Sequence, residues 1–275
     1  DEVDSFELKG MKFVPAKLSR VNERDELRLA VPGGTTTVTG ASGLQANEKL
    51  IAHVALRDGR VLDLQTTVEA PRPKVTLISK NVQPGPTPTA IRFGNQDEMP
   101  QDARLSFFLK TVVPEKFPQS EKIEVSTVDE SFHVMLGVAD GNLVLQDAEN
   151  VLATLDPLKS FGPSAFGSLR FRPVDAEGAK GDWQLLATLV RLPVLKEIRC
   201  PESPDKQCKL SGTNLFLIDS VASDPQFTHN TPVAAGFMET TMSVPRPNGT
   251  LLYVKLRDDP GTVNMVVLPV FPDER

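Results

Sequence analysis

Short stretches of alternating apolar and polar residues recur along the chain, each bounded by Gly, Pro, Asn or Asp. The alternation is clearest at residues 35–39, 49–57, 122–128, 131–138, 168–172 and 251–257. A period of two sends successive side chains to opposite faces, so each stretch predicts a strand with one buried and one wet face. Only residues 147–159 read differently. They predict a short helix or helical turn that Pro157 ends.

Some of these stretches recur as blocks. His53-Val-Ala-Leu-Arg-Asp-Gly59 is matched 200 residues on by Tyr253-Val-Lys-Leu-Arg-Asp-Asp259. Leu8-Lys-Gly-Met-Lys12 is similarly matched by Leu195-Lys-Glu-Ile-Arg199, and Ala16-Lys-Leu-Ser-Arg-Val-Asn22 by Cys208-Lys-Leu-Ser-Gly-Thr-Asn214. Matched blocks in one order predict that residues 6–72 and 194–272 are copies of one module. The middle of the chain begins and ends in the same manner, at residues 74–79 and 169–193, and reads as a third copy enlarged by an insertion near 100–160. The expected domains are therefore 1–73, 74–193 and 194–275. Proline-containing junctions, Ala70-Pro-Arg-Pro73 and Arg191-Leu-Pro193, favour a rod-like arrangement over loose tethers.

Composition agrees with an all-β chain. Twenty-three Pro and 18 Gly scattered over 275 residues leave no room for long helices. The formal charge of −6, without a compensating Lys/Arg cluster, excludes a nucleic-acid partner, because phosphate neutralisation needs a basic face. Apolar runs such as 185–190 and 263–268 fall well short of the roughly 20 residues of a membrane helix. The chain starts at Asp1 without Met, which reads as a processed or truncated end.

Cys200 and Cys208 close a loop of seven residues that contains two prolines. A local disulfide and an oxidising compartment are expected, with two free thiols of a cytosolic protein as the alternative. A metal at these cysteines is not expected, since no His or third Cys is near in sequence.

Residues 208–221, Cys-Lys-Leu-Ser-Gly-Thr-Asn-Leu-Phe-Leu-Ile-Asp-Ser-Val, resemble the signature of IPT/TIG immunoglobulin-like domains, and residues 263–268 resemble that family's closing strand. Gly212 and Asn214, at a strand end, permit the positive φ that a tight turn or bulge needs. In the first copy Arg20 stands where the last has Gly212, and the middle copy lacks the motif. The resemblance implies tandem β-sandwiches that serve in bacterial surface or periplasmic proteins as spacers, adhesive modules or partner-binding surfaces. It brings no catalytic residues.

Other chemistry is sparse. His53, His133 and His229 match no metal spacing and read as structural or surface histidines. No nucleophile elbow, phosphate loop, dinucleotide fingerprint or zinc-protease motif is present, so neither catalytic residues nor cofactors are nominated. The acidic turns Asp140-Gly-Asn142, Asp175-Ala-Glu177 with Asp182, and Asp258-Asp259 lack the run of ligands that calcium needs and read as solvated turns. The recurring Arg57-Asp58 and Arg257-Asp258 pairs suggest a repeated structural role, such as closing a hairpin. Fourteen Phe against Trp183 and Tyr253 alone lower the expectation of sugar-stacking platforms. Phe107 and Phe108 are adjacent, so in a strand one ring faces away from the core unless both faces are covered. Asn248-Gly-Thr250 fits a glycosylation acceptor but reads better as the turn of a hairpin joining residues 241–244 to 251–254.

The expectation is thus a non-enzymatic, exported bacterial protein: tandem immunoglobulin-like β-sandwiches acting as a cell-surface or periplasmic spacer that binds other protein domains or surface components. The alternatives are a binding domain for polysaccharide or calcium, with its site in 100–160, and an accessory region of a larger secreted enzyme.

Overall fold

The computed structural model describes residues 2–21, 24–30, 45, 47–69 and 71–273. It is almost entirely β, with one short helix and a single 3-10 turn among the described residues. Two compact units are present, one of residues 1–74 with 179–182 and one of residues 75–178 with 183–275.

The first unit holds β1 (Val3–Leu8), β2 (Met11–Val21), β3 (Arg24–Ala30), β4 (Lys49–Leu56) and β5 (Val61–Thr67), in the sheet order β3-β2-β1-β4-β5. Lys9 and Gly10 both have positive φ, which fits the two-residue turn that pairs Leu8 with Met11. The alternation read at 49–57 is β4, where Ala52 and Val54 are buried and His53 is exposed. The strand expected at 35–39 lies outside the described residues.

The second unit begins with β6 (Lys74–Gln83), β7 (Ile91–Arg92), β8 (Glu98–Pro100), β9 (Arg104–Val113), β10 (Lys122–Thr127), β11 (His133–Leu136), β12 (Leu143–Leu145), β13 (Asn150–Leu155), α1 (Pro157–Phe161), β14 (Gly167–Val174) and β15 (Gln184–Val190). One sheet runs β12-β13-β9-β6 and the other β11-β10-β14-β15-β8. Their inner faces share one core, in which Leu105, Phe107, Leu109, Val151 and Leu155 of the first meet Ile123, Val125, Leu169, Phe171 and Leu189 of the second. The Phe107 and Phe171 rings, 5.7 Å apart between centroids, bridge the sheets. Burying each such ring is worth about 1.5–3 kcal/mol. Phe108 points to the other face and is half-buried.

Residues 147–159 depart from the sequence reading. Residues 150–155 form β13, paired with β9, and Pro157 starts α1 instead of ending a helix. Val151, Ala153 and Leu155 are buried alternately, so tertiary pairing overrides the weak helical pattern. Asp156 caps α1 by accepting from the Lys159 N–H, and Pro at the first helical position loses no bond there.

The remainder of the second unit contains β16 (Val194–Cys200), β17 (Cys208–Thr213), β18 (Ile218–Ala222), β19 (Asn230–Pro232), β20 (Thr241–Val244), β21 (Leu251–Leu256), β22 (Asp259–Val267) and β23 (Val270–Pro272). Its sheets, β20-β17-β16-β23 and β19-β18-β21-β22-β7, enclose a second core of Ile198, Leu210, Val221, Val244, Leu252, Val254 and Val266 among others. Cys200 and Cys208 form a disulfide between β16 and β17. Asn214 takes the expected positive φ, 58°, but Gly212 does not; what Gly212 supplies is space, since a Cβ there would lie 2.4 Å from the Val194 carbonyl. The hairpin expected around Asn248-Gly does not form: β20 pairs with β17, whereas β21 pairs with β18 and β22. The tight turn is real, with reciprocal bonds between Asn248 and Leu251, but it carries the chain from one sheet to the other.

Candidate functional site

Residues 84–97 leave the first sandwich of the second unit after β6, add β7 to the edge of the second beside β22, and return as β8. This strap is anchored at several points. Met265 pairs with Arg92 and Val266 with Ile91, and the Val267 N–H donates to the Ala90 carbonyl. Gly94 packs so closely that a Cβ there would lie 2.1 Å from the Val263 carbonyl. Its N–H donates to the Asn264 side chain at 2.8 Å. On return, β8 runs parallel to β15, and Lys80 pairs with Asp97 at 2.7 Å.

Beside the strap lies a pocket of about 540 Å³. Its apolar walls come from Phe93 and Ile91 on the strap, Leu158 of α1, and Leu192 and Pro193 between β15 and β16. Arg92, Asn95, Gln96, Glu98, Gln101 and Asp102 bring polar side chains to the same space. Several are already held in place. Gln101 donates its amide to the carbonyls of Pro163 and Ala165, Asn95 accepts from the Asp97 N–H, and Asp102 accepts from the Thr87 N–H. Arg92 and Gln96 are exposed.

Glu98 is the unusual member. It is 3% exposed, yet the Asn264 amide reaches its Oε1 only at a long 3.4 Å, and Oε2 has no partner among the described residues. Burial pushes its carboxyl up to about 7; the charge of Asp259 adds to this, and hydrogen bonds from the Asn264 side chain and the Asn95 backbone oppose it. Nothing in the strand pattern marks it, because residues 98–100 are too short to show alternation.

No family model and no curated protein matches the chain. Among solved structures, it is similar to the SGBP-B of the Bacteroides ovatus mixed-linkage glucan utilization locus, in complex with a mixed-linkage heptasaccharide. The identity is 12% and the TM-score 0.25, over 99% of this chain and 61% of that one. This chain thus spans about three fifths of that protein's length. A likeness this slight carries no argument about fold or function.

The residues singled out in sequence are scattered. His53 is exposed on β4 and bonds Asp63 of β5 at 2.6 Å; His133 is on β11 and His229 in a loop. Among the described residues no cluster of three His, Cys, Asp or Glu side chains assembles for a metal. Asp175 accepts from the Glu177 N–H, and Asp182 approaches Arg72 at 3.9 Å. The paired Arg-Asp blocks diverge in role. Asp58 closes its own hairpin turn by accepting from Arg60, whereas Asp258 holds Arg191 through bonds of 2.6–2.9 Å, and Arg257 donates to the carbonyls of Phe216, Ile218 and Val233. Bonding to Asp258 raises the Arg191 guanidinium above its ordinary range. Trp183, a candidate platform by type, is half-buried, with the guanidinium carbons of Arg170 and Arg172 at 4.2 and 4.0 Å from its ring centre. A second buried carboxylate, Glu121, is 1% exposed with both oxygens unpartnered, and burial with the nearby Asp175 charge pushes it up to about 7.

Proposed function

We propose that the chain is a non-enzymatic, extracytoplasmic binding module whose pocket beside the 84–97 strap takes a short stretch of polysaccharide. The pocket itself carries this reading. At about 540 Å³ it has the size of a small-molecule site, and a few polar groups converge on apolar walls. Sugars present the matching surfaces, because their ring C–H faces suit Phe93, Leu192 and Pro193 while their hydroxyls suit Arg92, Gln96 and Glu98. The strap and the 192–194 junction supply most of the lining, and residues 100–160 contribute Pro100, Gln101, Asp102 and Leu158. The Cys200–Cys208 disulfide supports an oxidising compartment outside the cytoplasm. No helix among the described residues is long and apolar enough to cross a membrane.

A tandem immunoglobulin-like arrangement of IPT/TIG type belongs to the same proposal. Strand order supports it. Lettering β6, β9, β10, β11, β12, β13, β14 and β15 as A, B, C, C′, D, E, F and G puts ABED on one sheet and C′CFG on the other. The second sandwich likewise places β16, β17 and β20 as ABE against β19, β18, β21 and β22 as C′CFG. The backbone roles of Gly212 and Asn214 add support for the IPT/TIG signature.

The test is a glycan array followed by calorimetry on the best hit. The Arg92→Ala/Gln96→Ala double variant is expected to weaken binding by about tenfold, the worth of a lost hydrogen bond or two. Unchanged binding by the variant moves the site elsewhere. Silence across the array removes the polysaccharide reading and returns the chain to a spacer and protein-binding role.

A further inference from the structure

The turn at Asn248-Gly-Thr250 carries the chain from β20 to β21 and takes no part in the pocket. Its backbone is held. The Asn248 N–H donates to the Leu251 carbonyl and the Leu251 N–H to the Asn248 carbonyl, both at 3.1 Å, and the Leu268 N–H donates to the Thr250 carbonyl at 3.2 Å. Its outer groups are not. Asn248, Gly249 and Thr250 are exposed, and neither the Asn248 side-chain amide nor the Gly249 N–H makes a hydrogen bond among the described residues. Asn248 is also the one asparagine of the chain that glycine follows. Gly249 has φ 64° and nothing within 4 Å of where a Cβ would stand, so no side chain shields the nitrogen next to Asn248. Asn150 and Asn264 show the contrast: the Asn150 amide donates to both oxygens of Asp147, and Asn264 is buried.

We propose that Asn248 is a site of self-modification, where the asparagine is converted through a succinimide to aspartate and isoaspartate. The Gly249 nitrogen gives its proton to hydroxide and attacks Cγ of the Asn248 amide. The N–Cγ bond forms, the Cγ–Nδ2 bond breaks, and ammonia leaves with a proton taken from water. Water then opens the ring at one of its two carbonyls. Opening at Cγ restores the original backbone with an aspartate side chain, whereas opening at the main-chain carbonyl routes the backbone through Cβ and Cγ as isoaspartate. The sum consumes one water and releases one ammonia, with nothing oxidised or reduced. Either product adds a negative charge to an exposed turn. Isoaspartate also inserts a methylene between the N–H and the carbonyl that bond Leu251, so the reciprocal pair cannot keep its register where the chain passes between sheets.

The test ages the full, folded chain in neutral to mildly alkaline buffer and maps its peptides by mass spectrometry, using a protease that cuts at aspartate and passes over isoaspartate. Conversion is expected at Asn248 ahead of every other asparagine, with isoaspartate among the products and a rate that rises with hydroxide. Asn248→Ser is expected to lose it. Thermal melts, which also confirm that each variant is folded, are expected to place the aged chain below the fresh one. Asn248→Asp, which adds the charge without the extra methylene, is expected to melt close to the fresh chain. Conversion seen only in urea overturns the proposal, because the folded turn then protects the amide. Aspartate without isoaspartate overturns it by excluding the ring, and earlier loss at another asparagine overturns the choice of site. A glycan found on Asn248 overturns it as well, since the motif then serves as an acceptor. Aged chain that contains isoaspartate and melts with the fresh chain overturns the effect claimed for the turn.

Discussion

Glu98 and Glu121 set a pH dependence that can be worked out in sign. Each carboxyl has an ordinary value of 4.5 and is pushed up to about 7 in the fold by burial. Between those values the folded chain binds more protons than the unfolded one, so these groups make stability fall as pH rises from about 4.5 to about 7. Above that window the loss is complete, and below it the penalty is absent. Glu121→Gln, which removes the ionisable group without changing its shape, is expected to gain stability over the parent chain as pH goes from 5 to 8. Urea unfolding at the two pH values checks this, and a difference that stays flat with pH shows that Glu121 is not carrying the effect. Neither residue was legible as unusual in sequence. Glu121 looks like any charge before a strand, and its burial depends on how the ends of β10 and β14 meet.

At the scale of elements, alternation located most strands to within a few residues. Residues 49–57, 122–128, 168–172 and 251–257 became β4, β10, β14 and β21, because a sheet with one buried face imposes a period of two. The reading failed at 147–159, where local propensity was weak and pairing with β9 decided the outcome. It also failed at Asn248-Gly, where a tight turn says nothing about which sheet the next strand joins. The strap escaped notice for a related reason: β7 is two residues long and pairs with β22 some 170 positions away. Gly94 is its weak point. Gly94→Val puts a branched side chain where even a Cβ lies 2.1 Å from the Val263 carbonyl, so β7 is expected to leave β22 at a cost of about 1–3 kcal/mol. Calorimetry is expected to show the second unit melting in one transition in the parent chain and in two in the variant, one for each core. A single unshifted transition would mean that the strap does not couple the two sandwiches.

For the whole molecule, the disulfide is the covalent term. It closes a short loop, and the chain-entropy model assigns such a loop about 2–3 kcal/mol. Cys200→Ser/Cys208→Ser is expected to lower stability by that amount, and adding reductant is expected to bring the parent chain down to the variant. Thermal melts with and without reductant read both. A variant as stable as the parent would show that β16–β17 pairing needs no cross-link. The acidic balance of the chain, −6 overall, also belongs to this scale. It is felt most at the pocket, where Glu98 and Asp102 are gathered from the start of β8 and the turn after it, and Asp259 stands nearby on β22.

Local patterning was enough to point to an all-β chain, most of its strands, the Cys200–Cys208 cross-link and the left-handed backbone at Asn214. These depend on residues close together in the chain. The pocket depends on residues 82–102 meeting 158 and 192–194, and the isolation of Glu98 depends on Asn264 and Asp259 lying beside it. Such contacts follow from sheet order and from the path of the strap, which single-strand periodicity does not encode. The electrostatic character of the site was therefore decided only when the fold brought distant residues together and removed them from water.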